Sequence, residues 1–431
     1  MNRRVVFVLF VSALPLVAKP ITLHEAYNRL FKDNLDIMVA QAELRKVEAE
    51  LSETRSAWWP SVDVNGSYLY LSEKNSLKVT LPPPIGEINQ EIGTNNRAEI
   101  GLDLSYPFFT GFSRYYADHI KQESVASKKA QLEGAINRIT LSLGMLYLQW
   151  ELSYKQADLR RALVEQLETY TRQITAMREA GTALQSKLLE AQARLNLARV
   201  DLAASEDQSD SLRREFMSFI LCKDEEVIPD SSGTAFDTLP VPKRAVIDTL
   251  RPELVMLARL GDQIDLARRS LKFHHFPTIV GVIGGRYGKP GLAMGSDDYS
   301  GYGLAGVQLK WNLFDGLKVR SQYTQYACQL ELVDIERTRQ IEALERTFAI
   351  AREQLNNAAN RLVATEESRE AARALAEDLK NTLAAGMVTT AGYLNALVNL
   401  AQAELMVEQA KTAKKIAMLK MLYAMGKELK Y

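Results

Sequence analysis

The sequence predicts a mainly α-helical protein with a small β part, built by an internal tandem duplication. Three observations predict it: short segments of alternating polarity, long proline-free stretches with a coiled-coil repeat, and the return of the same pattern in the second half. The chain has 431 residues, 47% hydrophobic and 25% charged, so it is able to bury a core. Lys and Arg number 53, as do Asp and Glu, so the net charge does not indicate a nucleic-acid partner.

The N-terminus has the pattern of a secretory signal peptide, which we place at residues 1–18. Arg3 and Arg4 precede an apolar run that is shorter than the roughly 20 residues of a membrane-spanning helix. No later stretch reaches 18 consecutive apolar residues. We therefore expect an exported chain without a transmembrane helix, and any insertion into a membrane would require β-strands.

The second half of the chain repeats the pattern of the first. Gly111 and Gly181 are 70 residues apart, and the same interval separates Gly316 from Gly386. In both halves a helical pattern changes at a proline to strand-like alternation, and long helical stretches follow. An agreement over so long a distance is the sequence signature of a duplication.

Each repeat is predicted to contain a helix, two strands separated by a loop, and two long helices separated by a turn. The first repeat covers 19–222, the second covers 251–431, and a connector at 223–250 that is rich in breaker residues should be irregular. The extra residues of the first repeat fall at 74–94, where three successive prolines predict a loop. The predicted strands cover 61–71, 97–108, 278–288 and 302–313, and the predicted long helices cover 113–180, 184–222, 317–385 and 388–430.

The long helices have the spacing of an antiparallel coiled coil. Large residues recur every seven positions at Ile341, Phe348 and Leu355, and alanine occupies much of the alternate row. A helix of this length, about 100 Å at ~1.5 Å per residue, does not fold into a compact ball. A filamentous rod would have the same repeat, but polar residues such as Thr365 and Arg369 interrupt it, and strands adjoin it.

The predicted strands have the length and alternation of membrane-crossing strands. Each has about ten residues, which is the length that a tilted strand needs to cross a bilayer. A soluble sandwich would alternate in the same way, but the flanking helices are expected to lead away from the strands. The residues predicted to face lipid are Val62, Val64, Tyr68, Tyr70, Ile100, Leu102, Leu104 and Tyr106.

Aromatic residues gather at the ends of the predicted strands, as an interfacial belt would. Four strands are too few to close a barrel, and an open sheet edge is not tolerated in lipid. At least two copies must therefore share one barrel, so we predict an oligomer. The predicted belt consists of Trp58, Trp59, Phe108, Phe276, Trp311 and Phe314.

Taken together, these features resemble the TolC family of outer-membrane efflux proteins over nearly the whole chain. The most specific part is the turn at Gly181 with the helix through Leu188 and Leu195, which is echoed from Gly386 to Leu400. The resemblance implies a homotrimer in the outer membrane of a Gram-negative bacterium, with four strands per chain in a shared barrel. It also implies a periplasmic α-barrel whose tips meet a periplasmic adaptor protein that an inner-membrane pump feeds.

In that family the glycine turns between the long helices are the tips that contact the adaptor. Favourable hairpin residues alone would explain the glycines equally well. Family members carry acidic residues just past each tip, where this chain has Lys187, Gly392 and Asn395 at the periplasmic aperture, so we expect a less cation-selective entrance. The matching tip residues are Gly181, Thr182, Ala183, Leu184, Ser186, Gly386, Met387, Val388 and Thr389.

The predicted function is therefore the outer-membrane channel of a tripartite efflux or secretion system, with no enzyme activity and no cofactor. The four histidines have no metal-ligand spacing, and no catalytic set can be argued from position. Cys222 and Cys328 lie in helical patterns, and a disulfide is not expected. Two alternatives stay open, a periplasmic coiled-coil scaffold without a pore and an autonomous porin-like diffusion channel.

Overall fold

The computed structural model describes residues 19–80, 82, 84, 86–92, 94–222, 227–230, 251–291, 298–384 and 388–426. The predicted signal peptide and two predicted tip residues, Gly386 and Met387, lie outside the described residues. Within the described part the chain is mainly α-helical with a small β part. None of the described helices is both long enough and apolar enough to cross a membrane.

The elements follow one another along the chain in two similar series. The helices are α1 (Leu23–Asp33), α2 (Leu35–Ser56), α3 (Ser113–Glu179), α4 (Gln185–Phe219), α5 (Pro252–Ser270), α6 (Lys318–Ala384) and α7 (Thr390–Ala424). The strands are β1 (Lys19–Ile21), β2 (Ser61–Tyr70), β3 (Asn75–Thr80), β4 (Glu87–Ile92), β5 (Asn96–Thr110), β6 (Val227–Pro229), β7 (Thr278–Lys289) and β8 (Ser300–Lys310).

The loop predicted at 74–94 is wrong, because a β-hairpin occupies much of that segment. β3 pairs with β4 in antiparallel fashion, with Asn75 opposite Ile92 and Thr80 opposite Glu87. In the sequence, apolar and polar residues alternate on both sides of the prolines, which is a strand signal. The prolines lie between the two strands, and they led to the prediction of a loop although the residues on both sides alternate.

The connector at 223–250, predicted to be irregular, contains a strand in its described part. β6 pairs in parallel with β1, and both Val227 and Ile21 are buried. The Tyr147 hydroxyl lies 3.0 Å from the carbonyl oxygens of Ile21 and Asp230, and burial raises the pKa of Tyr147 well above its usual range. Burial against the helices thus stabilises regular backbone within a stretch rich in breaker residues.

Two further element ends differ from the sequence prediction. β8 ends at Lys310 rather than at 313, so Trp311 and Phe314 follow the strand in irregular backbone. Cys222 lies just after the end of α4 rather than within it, and its sulfur accepts a hydrogen bond from Arg29 Nη1 at 2.9 Å. Both cysteines are free.

The chain divides into two compact units. A helical unit consists of Met1–Gln41, Gln131–Pro252 and Arg339–Tyr431, and a strand unit consists of Ala42–Ala130 and Glu253–Thr338. The long helices α3 and α6 each contribute residues to both units.

Aromatic side chains form the centre of the core in the helical unit. Trp150 stacks on Phe216 with ring centroids 5.0 Å apart, and Tyr147 meets Phe216 edge to face. The predicted heptad residues Phe348 and Leu355 are buried in the same core. Large residues in one row and alanine in the other allow close helix packing, as knobs-into-holes geometry requires.

Ion pairs join α2 to α3 in the strand unit. The residue numbers rise along one helix as they fall along the other, so the two helices are antiparallel. A hydrogen bond and the charge of Lys128 hold the pKa of Glu43 below its usual range, and Lys121 does the same for Glu50. These pairs are exposed, so they set the alignment of the helices more than they stabilise the fold. The pairs are Arg55–Asp118 at 2.8 Å, Glu50–Lys121 at 2.7 Å and Glu43–Lys128 at 2.9 Å.

Candidate functional site: the sheet faces and the helix tips

The strand unit contains a four-stranded antiparallel sheet in the order β2-β5-β7-β8. β2 and β8 are therefore its edge strands, each with one row of backbone N–H and C=O groups that no described strand pairs. Across the sheet Val64 lies opposite Leu102, Leu102 opposite Gly285, and Gly285 opposite Gly303. This register places alternate residues of all four strands on a common face.

One face of this sheet is apolar and exposed. Val64 is 68% exposed, Leu102 54% and Val307 71%, whereas residues of a soluble core would be nearly inaccessible. An exposed apolar face of this extent is unusual for a soluble monomer. The register places all the residues predicted to face lipid on this side of the sheet, with Tyr106 half-buried and the others exposed: Val62, Val64, Tyr68, Tyr70, Ile100, Leu102, Leu104 and Tyr106. Four further exposed members of this face, in β7 and β8, were not predicted: Ile283, Tyr287, Val307 and Leu309.

Aromatic side chains mark both ends of the sheet. Thr110, Thr278 and Lys310 lie opposite one another, so the ends of β5, β7 and β8 that adjoin helices are level with one another. At the other end Tyr287 stacks on Tyr299 with ring centroids 5.8 Å apart, a second aromatic group that the sequence analysis did not identify. The six predicted belt residues, Trp58, Trp59, Phe108, Phe276, Trp311 and Phe314, are all exposed near the helix-adjoining end.

Specific contacts position two of the belt tryptophans. The Arg114 guanidinium lies 4.5 Å from the centre of the Trp58 ring and donates to the carbonyl oxygens of Ala57, at 3.1 Å, and Pro107, at 2.5 Å. Trp311 donates from Nε1 to the His275 carbonyl oxygen at 2.8 Å. These two tryptophans are thus held in place by contacts next to the strand ends.

The opposite face of the sheet is polar and holds an ion-pair network. Arg286 donates from Nη1 and Nη2 to the two carboxylate oxygens of Asp103 at 2.7 and 2.9 Å. Asn65 Nδ2 donates to the same carboxylate at 2.8 Å, and Glu99 lies 3.4 Å from Arg286 Nε. A Cβ atom on Gly101 would overlap the Arg286 side chain, so the glycine makes room for it. The sheet therefore separates an apolar face from a polar, charged face.

The turn between α3 and α4 is the first predicted tip. Gly181 has a φ angle of +75°, a left-handed conformation that glycine adopts without strain. The Thr182 N–H donates to the Met177 carbonyl oxygen at 2.8 Å, which closes the end of α3. Leu184 precedes α4 as its N-cap without a side-chain hydrogen bond and is 68% exposed, and Ser186 is exposed one residue inside α4.

The second predicted tip precedes α7 and is described from Val388 onward. Val388 is half-buried, whereas Thr389 is exposed and is the N-cap of α7. The Thr389 hydroxyl oxygen accepts a hydrogen bond from the Gly392 N–H at 3.2 Å. Leu394, one turn into α7, is fully buried in a core cluster together with Leu188 of α4, so α4 and α7 share a core beside the tips.

The predicted aperture residues lie within the first two turns of α4 and α7. Lys187 and Asn395 are exposed, and Gly392 is half-buried. Asn395 Oδ1 accepts a hydrogen bond from Arg194 Nη2 at 2.7 Å. At the start of α4, Lys187 and Arg194 are cationic and Glu190 is acidic, and residues 390–400 of α7 include no charged side chain. No group of residues in the described ranges has the geometry of a metal site.

A sequence-family comparison identifies one match. The family model described as outer membrane efflux protein matches residues 26–215 and 253–427. The two matched stretches fall in the two predicted repeats and leave out the whole connector at 223–250. None of the curated proteins matches the chain.

Several solved structures have the same fold at low sequence identity. CusC, described in connection with transmembrane channel formation, has a TM-score of 0.76 at 11% identity, over 94% of this chain and 92% of its own. The MtrE outer membrane channel of Neisseria gonorrhoeae has a TM-score of 0.73 at 14% identity, over 95% and 89%. The CmeC outer membrane channel of Campylobacter jejuni has a TM-score of 0.71 at 14% identity, over 94% and 85%.

The unequal caps of α4 and α7 lead to a first prediction. Thr389→Ala removes a side-chain cap and should destabilise the first turn of α7 by about 1 kcal/mol, which corresponds to roughly fivefold faster amide exchange there. Leu184→Ser adds a cap and should slow exchange in the first turn of α4. Hydrogen–deuterium exchange read by mass spectrometry measures both effects.

Thr338→Ala, which removes an exposed threonine hydroxyl within α6, is the matched control and should leave exchange at both tips unchanged. Equal exchange of the first turn of α7 in the wild type and in Thr389→Ala would contradict the prediction.

Proposed function

The chain belongs to the outer membrane efflux protein family, and we propose that three copies of it form one channel through the outer membrane. Members of this family are outer-membrane channels of efflux systems, so the chain is a channel subunit and not an enzyme. The observation that supports assembly of several copies is the open four-stranded sheet, which is apolar and exposed on one face and polar on the other.

The number of copies follows from the edges and from the width of a useful pore. In hydrocarbon the free edges of β2 and β8 have to be paired, so β8 of one copy adjoins β2 of the next. Two copies would supply about eight strands, and side chains fill the interior of a barrel of that size. Three copies make a wider barrel that leaves an aqueous passage, with Asp103 and Arg286 on its inner wall.

The helix tips are the proposed contact with a periplasmic adaptor protein that connects the channel to an inner-membrane pump. Leu184 is an exposed apolar side chain at the first turn, which is the type of anchor that protein interfaces bury. Its neighbours Gly181, Thr182 and Ala183 are small and allow another helical tip to approach closely. Thr389 occupies the corresponding place at the second tip.

The aperture next to the tips is proposed to be less selective for cations than an acidic aperture would be. Lys187 carries a positive charge, and Arg194 contacts the amide of Asn395 rather than a carboxylate. An entrance lined in this way attracts cations weakly, because field strength at a constriction depends on the charges that line it.

The two alternatives explain less of the structure. A periplasmic scaffold has no use for a sheet whose apolar face is exposed. An autonomous porin does not require two helices of 67 residues next to its strands.

Substitutions on the two sheet faces test the insertion of the strands into the membrane. Val64→Arg places a charge on the apolar face and should prevent assembly in the outer membrane, since such a charge near the bilayer midplane costs about 2–4 kcal/mol. Ser67→Arg, on the polar face of the same strand, should assemble normally. Fractionation of outer membranes with detection of heat-resistant trimers measures both, and equal yields of the two variants would contradict the proposed orientation.

Recordings in planar lipid bilayers test channel function and the aperture together. The purified protein should form discrete conducting channels with weak cation preference under a salt gradient. Asn395→Asp should shift the reversal potential toward cation selectivity, whereas Thr338→Asp, an exposed position on α6, serves as the charge-matched control. A strongly cation-selective wild type that neither Asn395 nor Lys187 influences would rule out the proposed aperture.

The tips can be tested separately from conduction. Leu184→Glu should abolish export in cells, measured as the susceptibility of a deletion strain, while heat-resistant trimers and bilayer conductance persist. Leu184→Met keeps an apolar side chain of similar volume and should export as the wild type does. Full export by Leu184→Glu would show that this residue is not part of an adaptor contact.

A further inference from the structure

A cavity lies in the strand unit where two helix–strand connections meet. It has a volume of about 460 Å³ and lies between the end of α5 and the start of α6. Lys272, His275, Arg320 and Tyr323 are among the residues that line it, and Asp315 is its one acidic residue. Its size falls within the range of about 300–1,000 Å³ that is typical of small-molecule sites.

The cavity wall carries positive charge that no described residue neutralises through an ion pair. Lys272 and Arg320 are exposed and form no salt bridge in the described part of the chain, whereas nearby Arg268 is paired with Asp265 at 2.5 Å. Asp315 is already engaged, because its Oδ2 accepts a hydrogen bond from the N–H of Val319, in the first turn of α6, at 3.0 Å. Two cations therefore line the cavity against one carboxylate, which already accepts a backbone hydrogen bond.

The place of the cavity in the sheet indicates the class of ligand. The cavity adjoins the end of the sheet that carries the aromatic belt, and Trp311, Phe314 and Leu317 beside it are exposed. If the strands cross the membrane as proposed above, this end lies at the periplasmic boundary of the bilayer, where phosphate groups of phospholipids are found. Lysine and arginine next to an apolar, aromatic surface form the recognised type of site for an anionic lipid headgroup.

We propose that this cavity binds the phosphate group of an anionic glycerophospholipid from the periplasmic leaflet of the outer membrane. Lys272 and Arg320 supply the charge, and the hydroxyl group of Tyr323 is a neutral donor on the same wall. The acyl chains extend along the apolar surface at Phe314 and Leu317. The inference rests on the proposed membrane orientation of the sheet.

The test uses the purified trimer in a mild detergent. Native mass spectrometry and the midpoint of thermal unfolding are recorded with phosphatidylglycerol, with phosphatidylcholine and with inorganic phosphate alone. Phosphatidylglycerol should raise the midpoint and remain bound at up to one molecule per chain, and phosphatidylcholine should bind weakly. The double variant Lys272→Gln/Arg320→Gln should bind phosphatidylglycerol at least about tenfold more weakly, since two charges are lost.

Lys318→Gln is the matched control, because Lys318 lies on the first turn of α6 but does not line the cavity. Lys272→Arg/Arg320→Lys keeps both charges and should retain binding, which separates loss of charge from a folding defect. Equal binding of phosphatidylglycerol by the wild type and the double glutamine variant would overturn the proposal. Equal stabilisation by inorganic phosphate alone would assign the cavity to free phosphate and overturn the lipid assignment.

The proposed function is assessed independently in the same preparations. Channel conductance by the wild type and by the double glutamine variant, together with loss of lipid binding in the variant alone, supports the lipid site. A wild type that does not conduct contradicts the proposed function, whatever its lipid binding.

Discussion

The need to pair every backbone N–H and C=O group in hydrocarbon governs the design of this chain. Four strands satisfy one another except along β2 and β8, and no lipid group can replace the missing partners. The chain is therefore incomplete as a membrane protein until other copies adjoin both edges. The apolar face, the aromatic belt and the duplicated order of elements all serve a sheet that is a fraction of a larger barrel.

The two units differ in where they place their large apolar side chains. The helical unit buries its large side chains, with Trp150 and Phe216 stacked at the centre of its core. The strand unit exposes its large apolar side chains on one face and keeps Asp103 and Arg286 on the other. Large apolar side chains are thus buried in one unit and exposed in the other, because one part of the chain is surrounded by water and the other faces lipid. Helices α3 and α6 contribute to both units, so they join the two environments covalently.

The periodicity of the sequence made the larger part of this fold predictable. Most of what was not predicted depends on contacts between residues that are distant in the sequence. The seven-residue repeat located the long helices, and the 70-residue interval between glycines located the turns. The apolar face in β7 was missed because glycines at 281 and 285 interrupt the alternation that reveals it in β2 and β5. The pairing of Arg286 with Asp103 spans 183 residues, and only strand register brings the two together.

The charge at the proposed aperture can vary because the fold does not depend on it. Leu394 is fully buried and holds α7 to its core cluster, whereas Asn395, the next residue, is exposed. Packing therefore fixes one position and leaves its neighbour free to be acidic, neutral or basic without disturbing the helices. Arg194 reaches the Asn395 amide from α4, so the positive charge at this level lies on one helix and its hydrogen-bond partner on another. Selectivity at such an entrance is set by a few exposed side chains, and it is separable from the barrel that holds the channel in the membrane.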